Sequence, residues 1–165
     1  MIIYVTGDAV EPDFPGKKIV AFLTNNATPN WGGGIARQIA SRHPDVQIEF
    51  RKHAGQHPET LQLGKAIFLK SSETLTFAAL IAQDGCGPSD EPRIRYDALA
   101  LALEKLGTRA RVTKASVHMP RIGVGAARGR WEVIEPMIQK YVVPFADVRI
   151  YEIPRGKRRM TRESS

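Results

Sequence analysis

Apolar and polar positions alternate in blocks along this chain. Short runs rich in β-branched, aromatic and small apolar residues cover 2–5, 19–23, 46–50, 66–69, 77–82, 115–118 and 148–151, and each predicts a strand. Other segments repeat their apolar residues at helical spacing. Residues 35–42, 93–106 and 131–141 predict helices. The middle one sets Tyr96, Leu99, Leu103 and Leu106 on one face and stops before Gly107, a residue suited to a helix C-terminal cap. This alternation predicts an α/β domain of three layers with a largely parallel central sheet. The runs 66–69 and 77–82 are joined by a polar stretch, Lys70-Ser71-Ser72-Glu73, which predicts a hairpin and so a mixed sheet.

Composition narrows the class. At 165 residues, with 42% hydrophobic and 25% charged content, the chain has the size and balance of one soluble globular domain. No apolar stretch approaches the roughly 20 residues of a membrane span, and no signal-peptide pattern opens the chain. A lone cysteine, Cys86, excludes an internal disulfide and a cysteine-based metal cluster. These features predict a cytoplasmic protein without membrane contact, metal or cofactor. Cys86 lies between Gly85 and Gly87 with no base partner in view and reads as an incidental thiol.

The net charge is +7 and the pI near 9.8. More than half of that excess sits beyond Ile153, where Arg155, Lys157, Arg158, Arg159 and Arg162 face only Glu163. The chain therefore divides into a domain over 1–153 and a basic tail over 154–165, read as disordered, with room for weak contact with RNA or DNA. No zinc-finger, helix-turn-helix or aromatic RNA-binding motif accompanies the tail.

Two glycine-spaced loops carry the candidate chemistry. Thr24-Asn25-Asn26-Ala27-Thr28-Pro29-Asn30-Trp31-Gly32-Gly33-Gly34 leads from one strand into a helix. Three glycines at a helix start forfeit propensity, roughly 1 kcal/mol each, which a chain accepts where backbone must approach something bulky. Asn25 and Asn26 offer amide groups at a strand's carboxyl end, where α/β sheets place ligands, and equally suit capping a turn. Met119-Pro120-Arg121-Ile122-Gly123-Val124-Gly125-Ala126-Ala127-Arg128-Gly129-Arg130-Trp131 likewise joins a strand to a helix. Its amides can cradle an anion, although glycines also serve simply to turn the chain. Two such loops on one sheet point to a ligand with several polar parts, such as a diphosphate with sugars.

Together with Val5-Thr6-Gly7-Asp8 after the first strand, these runs resemble the macrodomain family, which binds ADP-ribose, over nearly the whole chain. The second loop, with Trp131-Glu132 and Glu135-Pro136, is similar to the branch that includes the terminal ADP-ribose protein glycohydrolase and the yeast-type ADP-ribose 1″-phosphate phosphatase. The resemblance implies a three-layer α/β/α macrodomain with a mixed, largely parallel sheet, and ADP-ribose or an ADP-ribosylated protein as partner. It implies that Asp8, beside Ala9, accepts the adenine amino group and that Asn25 or Asn26 holds the distal ribose. Gly32, Gly33 and Gly34 would let backbone pack on ribose and diphosphate, while Gly123, Val124, Gly125 and Ala126 would wrap the diphosphate. Gln83, Arg121 and Ala127 complete the expected contact set. Asp8 also suits a turn cap, Trp31 fits a pocket wall or a packing anchor, and Trp131 reads as core.

Two departures bear on mechanism. The glycohydrolase branch uses a lysine near the end of the strand at 77–82, forming a covalent sugar adduct, and an aspartate in the second loop. Gln83 and Ala127 stand there, and neither forms an imine or serves as acid or base. What remains is water-activated hydrolysis of an ester to an acidic residue or of ADP-ribose 1″-phosphate, with Asn25, Asn26, Asp84 and His118 as candidate catalytic residues. Asp84 suits a base but also reads as a loop aspartate. His118, at a strand end, titrates in a suitable range but also fits a packed role. Arg95 and Tyr96 read as helix-surface and core. The alternative is a non-catalytic ADP-ribose reader. A dinucleotide oxidoreductase would place Gly-x-Gly-x-x-Gly after the first strand, where the chain has Thr6-Gly7-Asp8-Ala9.

Overall fold

A computed structural model describes residues 1–153. The basic tail at 154–165, and the expectations attached to it, lie outside the described residues. The six strands are β1 (Ile2–Thr6), β2 (Lys18–Asn25), β3 (Ala66–Lys70), β4 (Leu75–Gln83), β5 (Ser116–Pro120) and β6 (Val148–Glu152). They form one sheet in the order β1-β6-β5-β2-β4-β3. Every neighbouring pair is parallel except β3 with β4, which form the hairpin that the polar stretch at 70–73 predicts. The helices are α1 (Gly34–Arg42), α2 (Pro44–Gln56), α3 (Tyr96–Thr113) and α4 (Trp131–Tyr141).

Alternation along the central strands builds two cores. Ile19 and Ala21 of β2, Leu80 and Ala82 of β4 and Met119 of β5 face α3 and α4, where Leu99, Leu103, Ile134 and Ile138 are buried. Val20, Phe22, Phe77 and Ile81 point the other way, onto Ile39 of α1 and Val46 and Phe50 of α2. The architecture is the expected three-layer α/β/α sandwich with a mixed, largely parallel sheet.

Three local expectations are corrected. Residues 46–50 form part of α2, not a strand: Val46 and Phe50, four apart, are buried, while Ile48 is 61% exposed. Pro44 at the first turn starts the helix there. The middle helix begins at Tyr96 because Arg95 is extended and its amide donates to the Ala82 carbonyl. It also runs on to Thr113, with Ala110 continuing the buried face and left-handed Lys114 as the cap. Gly107 is therefore an interior residue at the α3–α4 crossing. A Cβ there would lie 2.1 Å from the Tyr141 carbonyl oxygen. Gly107→Ala should cost about 1–3 kcal/mol, read as a lowered urea midpoint, because one helix must move off the other.

His118 is fully buried within β5, in register with Val20 and Arg149, and not at the strand end. Its Nε2 is 2.7 Å from the Ser116 hydroxyl and its Nδ1 2.7 Å from the Tyr151 hydroxyl, with Phe14 packed on the ring. Burial, helped by the charges of Arg149 and Lys18, lowers its pKa from 6.5 to about 4. The unfolded chain therefore takes up a proton below pH 6.5 that the folded chain refuses until about pH 4. Stability should be full above that window and fall progressively through it as pH drops. Denaturant titrations of wild type and His118→Gln across the window should show the wild type losing more.

Candidate functional site

Because β1, β2, β4, β5 and β6 run the same way, their carboxyl ends open along one edge of the sheet. That edge is where a parallel α/β sheet leaves a crevice. Asp8 follows β1, Asn25 ends β2 with Asn26 just beyond, Gln83 ends β4 with Asp84 just beyond, and the second glycine loop follows β5.

The β2–β4 corner has the most defined polar geometry. The register slips between Thr24 and Asn25, so that Thr24 pairs with Ile81 but Asn25 with Gln83, leaving Ala82 as an extra residue in β4. Such a bulge re-aims the strand end. Asn26 then reaches across: its Nδ2 donates to Asp84 Oδ1 at 3.1 Å and its Oδ1 accepts the Gly85 amide at 2.8 Å. Arg95 Nη2 lies 3.4 Å from Asp84 Oδ2. Asn25, nearly buried, turns back instead, its Oδ1 accepting the amides of Ala27 and Thr28. Gln83 donates to the Gly85 carbonyl.

Arg93 shapes the loop beyond Asp84, donating to the carbonyls of Asp84, Gly87 and Pro88. No motif in the sequence marks this role. A guanidinium with five donors can satisfy several carbonyls of a tight loop at once. The Arg93 and Ile94 amides both donate to the buried Ala127 carbonyl, tying this loop to the cradle.

In the cradle, Gly123 is left-handed at φ 81, and a Cβ on it would press on Ile94 and Ile134. Gly129, for which the sequence suggests no particular role, donates its amide to the Gly123 carbonyl at 2.6 Å, and a Cβ there would lie 2.7 Å from that oxygen. These two glycines close the loop's neck. Gly125, by contrast, has open space where its Cβ would be, as do Gly32, Gly33 and Gly34. Val124, Gly125 and Ala126 are exposed, while Ala127 is buried and points its side chain inward. At the opposing loop, α1 starts at Gly34 with no side-chain cap and no acidic residue in its first turn. Its leading amides lack a side-chain cap, a favourable setting for an anion.

Other expected residues have structural partners of their own. Trp31 is buried between Phe22 and Phe50, with ring centroids 5.0 and 4.9 Å away, and so is the packing anchor and not a pocket wall. Asp8 accepts the Val10 amide at 3.0 Å and pairs with Arg42, so it caps its turn whatever else it does. Ala9 is buried behind it. Arg121 lies over the rings of Tyr4 and Trp131 and pairs with Glu152. Trp131 is half-buried and donates to the Tyr4 hydroxyl. Tyr96 accepts the Arg130 amide, holding the start of α4. His118 does not join the crevice: it lies five positions before Asn25 in sheet register, about 16 Å along the strand. Cys86 is exposed at the tip of the loop that Arg93 braces. Among the described residues no cluster of three or more His, Cys, Asp or Glu could hold a metal, and no helix is long and apolar enough to cross a membrane.

No protein-family model matches the chain. A macrodomain protein from Streptomyces coelicolor superposes with a TM-score of 0.79 at 30% identity, over 92% of this chain and 99% of that one. The ADP-ribose 1″-phosphate phosphatase of Saccharomyces cerevisiae is 25% identical over 85% of this chain and 92% of its own length. The mouse chromodomain-helicase-DNA-binding protein 1-like is 29% identical over 99% of this chain, which spans only 19% of that protein. With this fold, the crevice at its strand ends and these likenesses, the chain belongs to the macrodomain family.

The two kinds of glycine should separate experimentally. Gly129→Ala should lower the thermal midpoint by several degrees, because backbone must move to admit the methyl group. Gly32→Ala should leave it within about a degree, since the methyl group would enter open space.

Proposed function

We propose that this macrodomain binds ADP-ribose along the crevice and hydrolyses an ADP-ribosyl linkage with water activated by Asp84. The carrying observation is the Asn26–Asp84–Arg95 constellation at the β2–β4 corner, set beside two loops whose outward glycines answer to no packing demand. Four strand spacings separate Asp8 from Asp84, a span of about 19 Å at ordinary strand spacing. An extended ligand with a base at one end and a sugar at the other suits that span. Adenine would sit by Asp8, the diphosphate over the amides of 123–126 and the start of α1, and the distal ribose by Asn26. Main-chain amides can carry a diphosphate without cationic side chains, as helix starts and glycine turns do elsewhere. The yeast relative's name, a phosphatase of ADP-ribose 1″-phosphate, supports both ligand and reaction class.

In the proposed step, Asp84 accepts a proton from water while the water oxygen attacks the anomeric carbon of the distal ribose. The bond from that carbon to its oxygen-linked substituent breaks. A carboxylate or phosphate leaves with the electron pair and needs no general acid. Asn26 and Arg95 hold and orient the Asp84 carboxylate. Gln83, tied to Gly85, offers no nucleophile, which accords with a mechanism free of a sugar–lysine adduct. Gln83 and Ala127, at the positions where the glycohydrolase branch has its lysine and aspartate, favour the second reading, a binding module without catalysis.

Calorimetry with ADP-ribose, paired with release assays on glutamate-linked ADP-ribosyl protein and on ADP-ribose 1″-phosphate, separates the readings. Asp84→Asn should keep affinity within a few-fold and lower turnover about 10²–10⁴-fold, the usual worth of a general base. Binding without release in the wild type would establish the reader. Gly125→Glu should abolish ADP-ribose binding by placing a carboxylate among the diphosphate amides, and unchanged affinity would overturn the cradle assignment.

A further inference from the structure

One residue of the second loop stands out against its backbone. Arg128 is left-handed at φ 57, a conformation that costs any residue with a Cβ and suits glycine or asparagine. It sits there because its amide closes a tight turn onto the Gly125 carbonyl at 3.0 Å, between buried Ala127 and the packed Gly129. Nothing in that turn needs the arginine side chain. The side chain is exposed and extends from the cradle to the loop after β4, where Nη1 donates to the Ser89 carbonyl at 3.2 Å. It thus bridges the loop that offers the amides and the loop that carries Asp84. A single neutral carbonyl leaves most of the guanidinium's donors and all of its charge uncommitted.

Its cationic neighbours are already engaged. Arg93 is spent on three carbonyls, and Arg95 faces Asp84 and two more carbonyls. The Asp84 corner therefore joins one carboxylate to arginines committed to structure, while Arg128 reaches the same loop further along, at Ser89. A guanidinium so placed suits a phosphoryl group, which it can grip with two parallel hydrogen bonds.

We propose that Arg128 is a specificity-determining residue that reads a phosphoryl group carried on the distal ribose, exchanging the Ser89 carbonyl for that anion when the ligand binds. This rests on the ADP-ribose reading above and names which ADP-ribosyl compound the crevice prefers.

The test uses the full chain with two probes, ADP-ribose and ADP-ribose 1″-phosphate, and two variants, Arg128→Gly and Arg128→Asn. Both substitutions tolerate the left-handed backbone, so the thermal midpoint should hold or rise. Affinity for the phosphorylated probe should fall about tenfold or more, the size expected for a lost hydrogen bond to a charged group, while ADP-ribose stays within about twofold. Equal affinities for the two probes in wild type and variants would overturn the proposal. So would a lowered midpoint with parallel loss of both ligands, which would make Arg128 a structural brace. Failure of the wild type to bind ADP-ribose at all would instead refute the parent reading.

Discussion

The Ala127 carbonyl oxygen accepts two main-chain amides, those of Arg93 and Ile94, and the crevice depends on that junction. It joins the loop after β5 to the segment that enters α3, and thereby fixes two walls against each other. The same place is sealed by packing: Ile94 and Ile134 fill the space that Gly123 and Gly129 leave open by lacking a Cβ. A buried carbonyl has two lone pairs and no water, so using both is the satisfied state. Widening the neck by one methyl group would separate amides, core and corner together. The neck is closed by packing, while the rim at 124–126 stays exposed.

The second constraint is direction. Parallel strands gather their carboxyl ends at one edge, and the bulge at Ala82 shifts the register of the β2 and β4 ends. Without the extra residue, Asn26 and Asp84 would follow the simple alternation of the ladder. Anion binding at such an edge draws on helix starts and turn amides, so it does not need the chain's excess of basic residues. The arginines near the crevice have specific partners instead: Arg42 holds Asp8, Arg95 faces Asp84, and Arg93 wraps the loop between them and α3.

The opposite face of β5 shows how one strand serves two purposes. Met119 packs into the core under α3 and α4, while His118 points the other way into a buried polar cluster with Ser116 and Tyr151. A histidine two residues from a glycine loop reads as a candidate for proton transfer until the alternation of the strand is known. Facing and burial, and not proximity in the chain, remove it from the site.

What the amino-acid order determined by itself is the layered α/β class, six of the seven strands it suggests, the hairpin and the two glycine loops. These follow from short-range rules: apolar periodicity, turn residues and the propensity lost by placing glycines at a helix start. The run at 46–50 misled because an alternating pattern five residues long fits a strand face as well as two buried helical positions four apart. Only the packing against Trp31 decided it. Tertiary structure also decided which glycines serve the core and which the rim, that Trp31 is an anchor, and that Asn26 and not Asn25 clasps Asp84. It assigned Arg93 its three carbonyls, a role written in no motif. Each of these is a meeting of residues from separate strands or loops, and such meetings are set by register, bulges and close packing, which local sequence patterns do not encode.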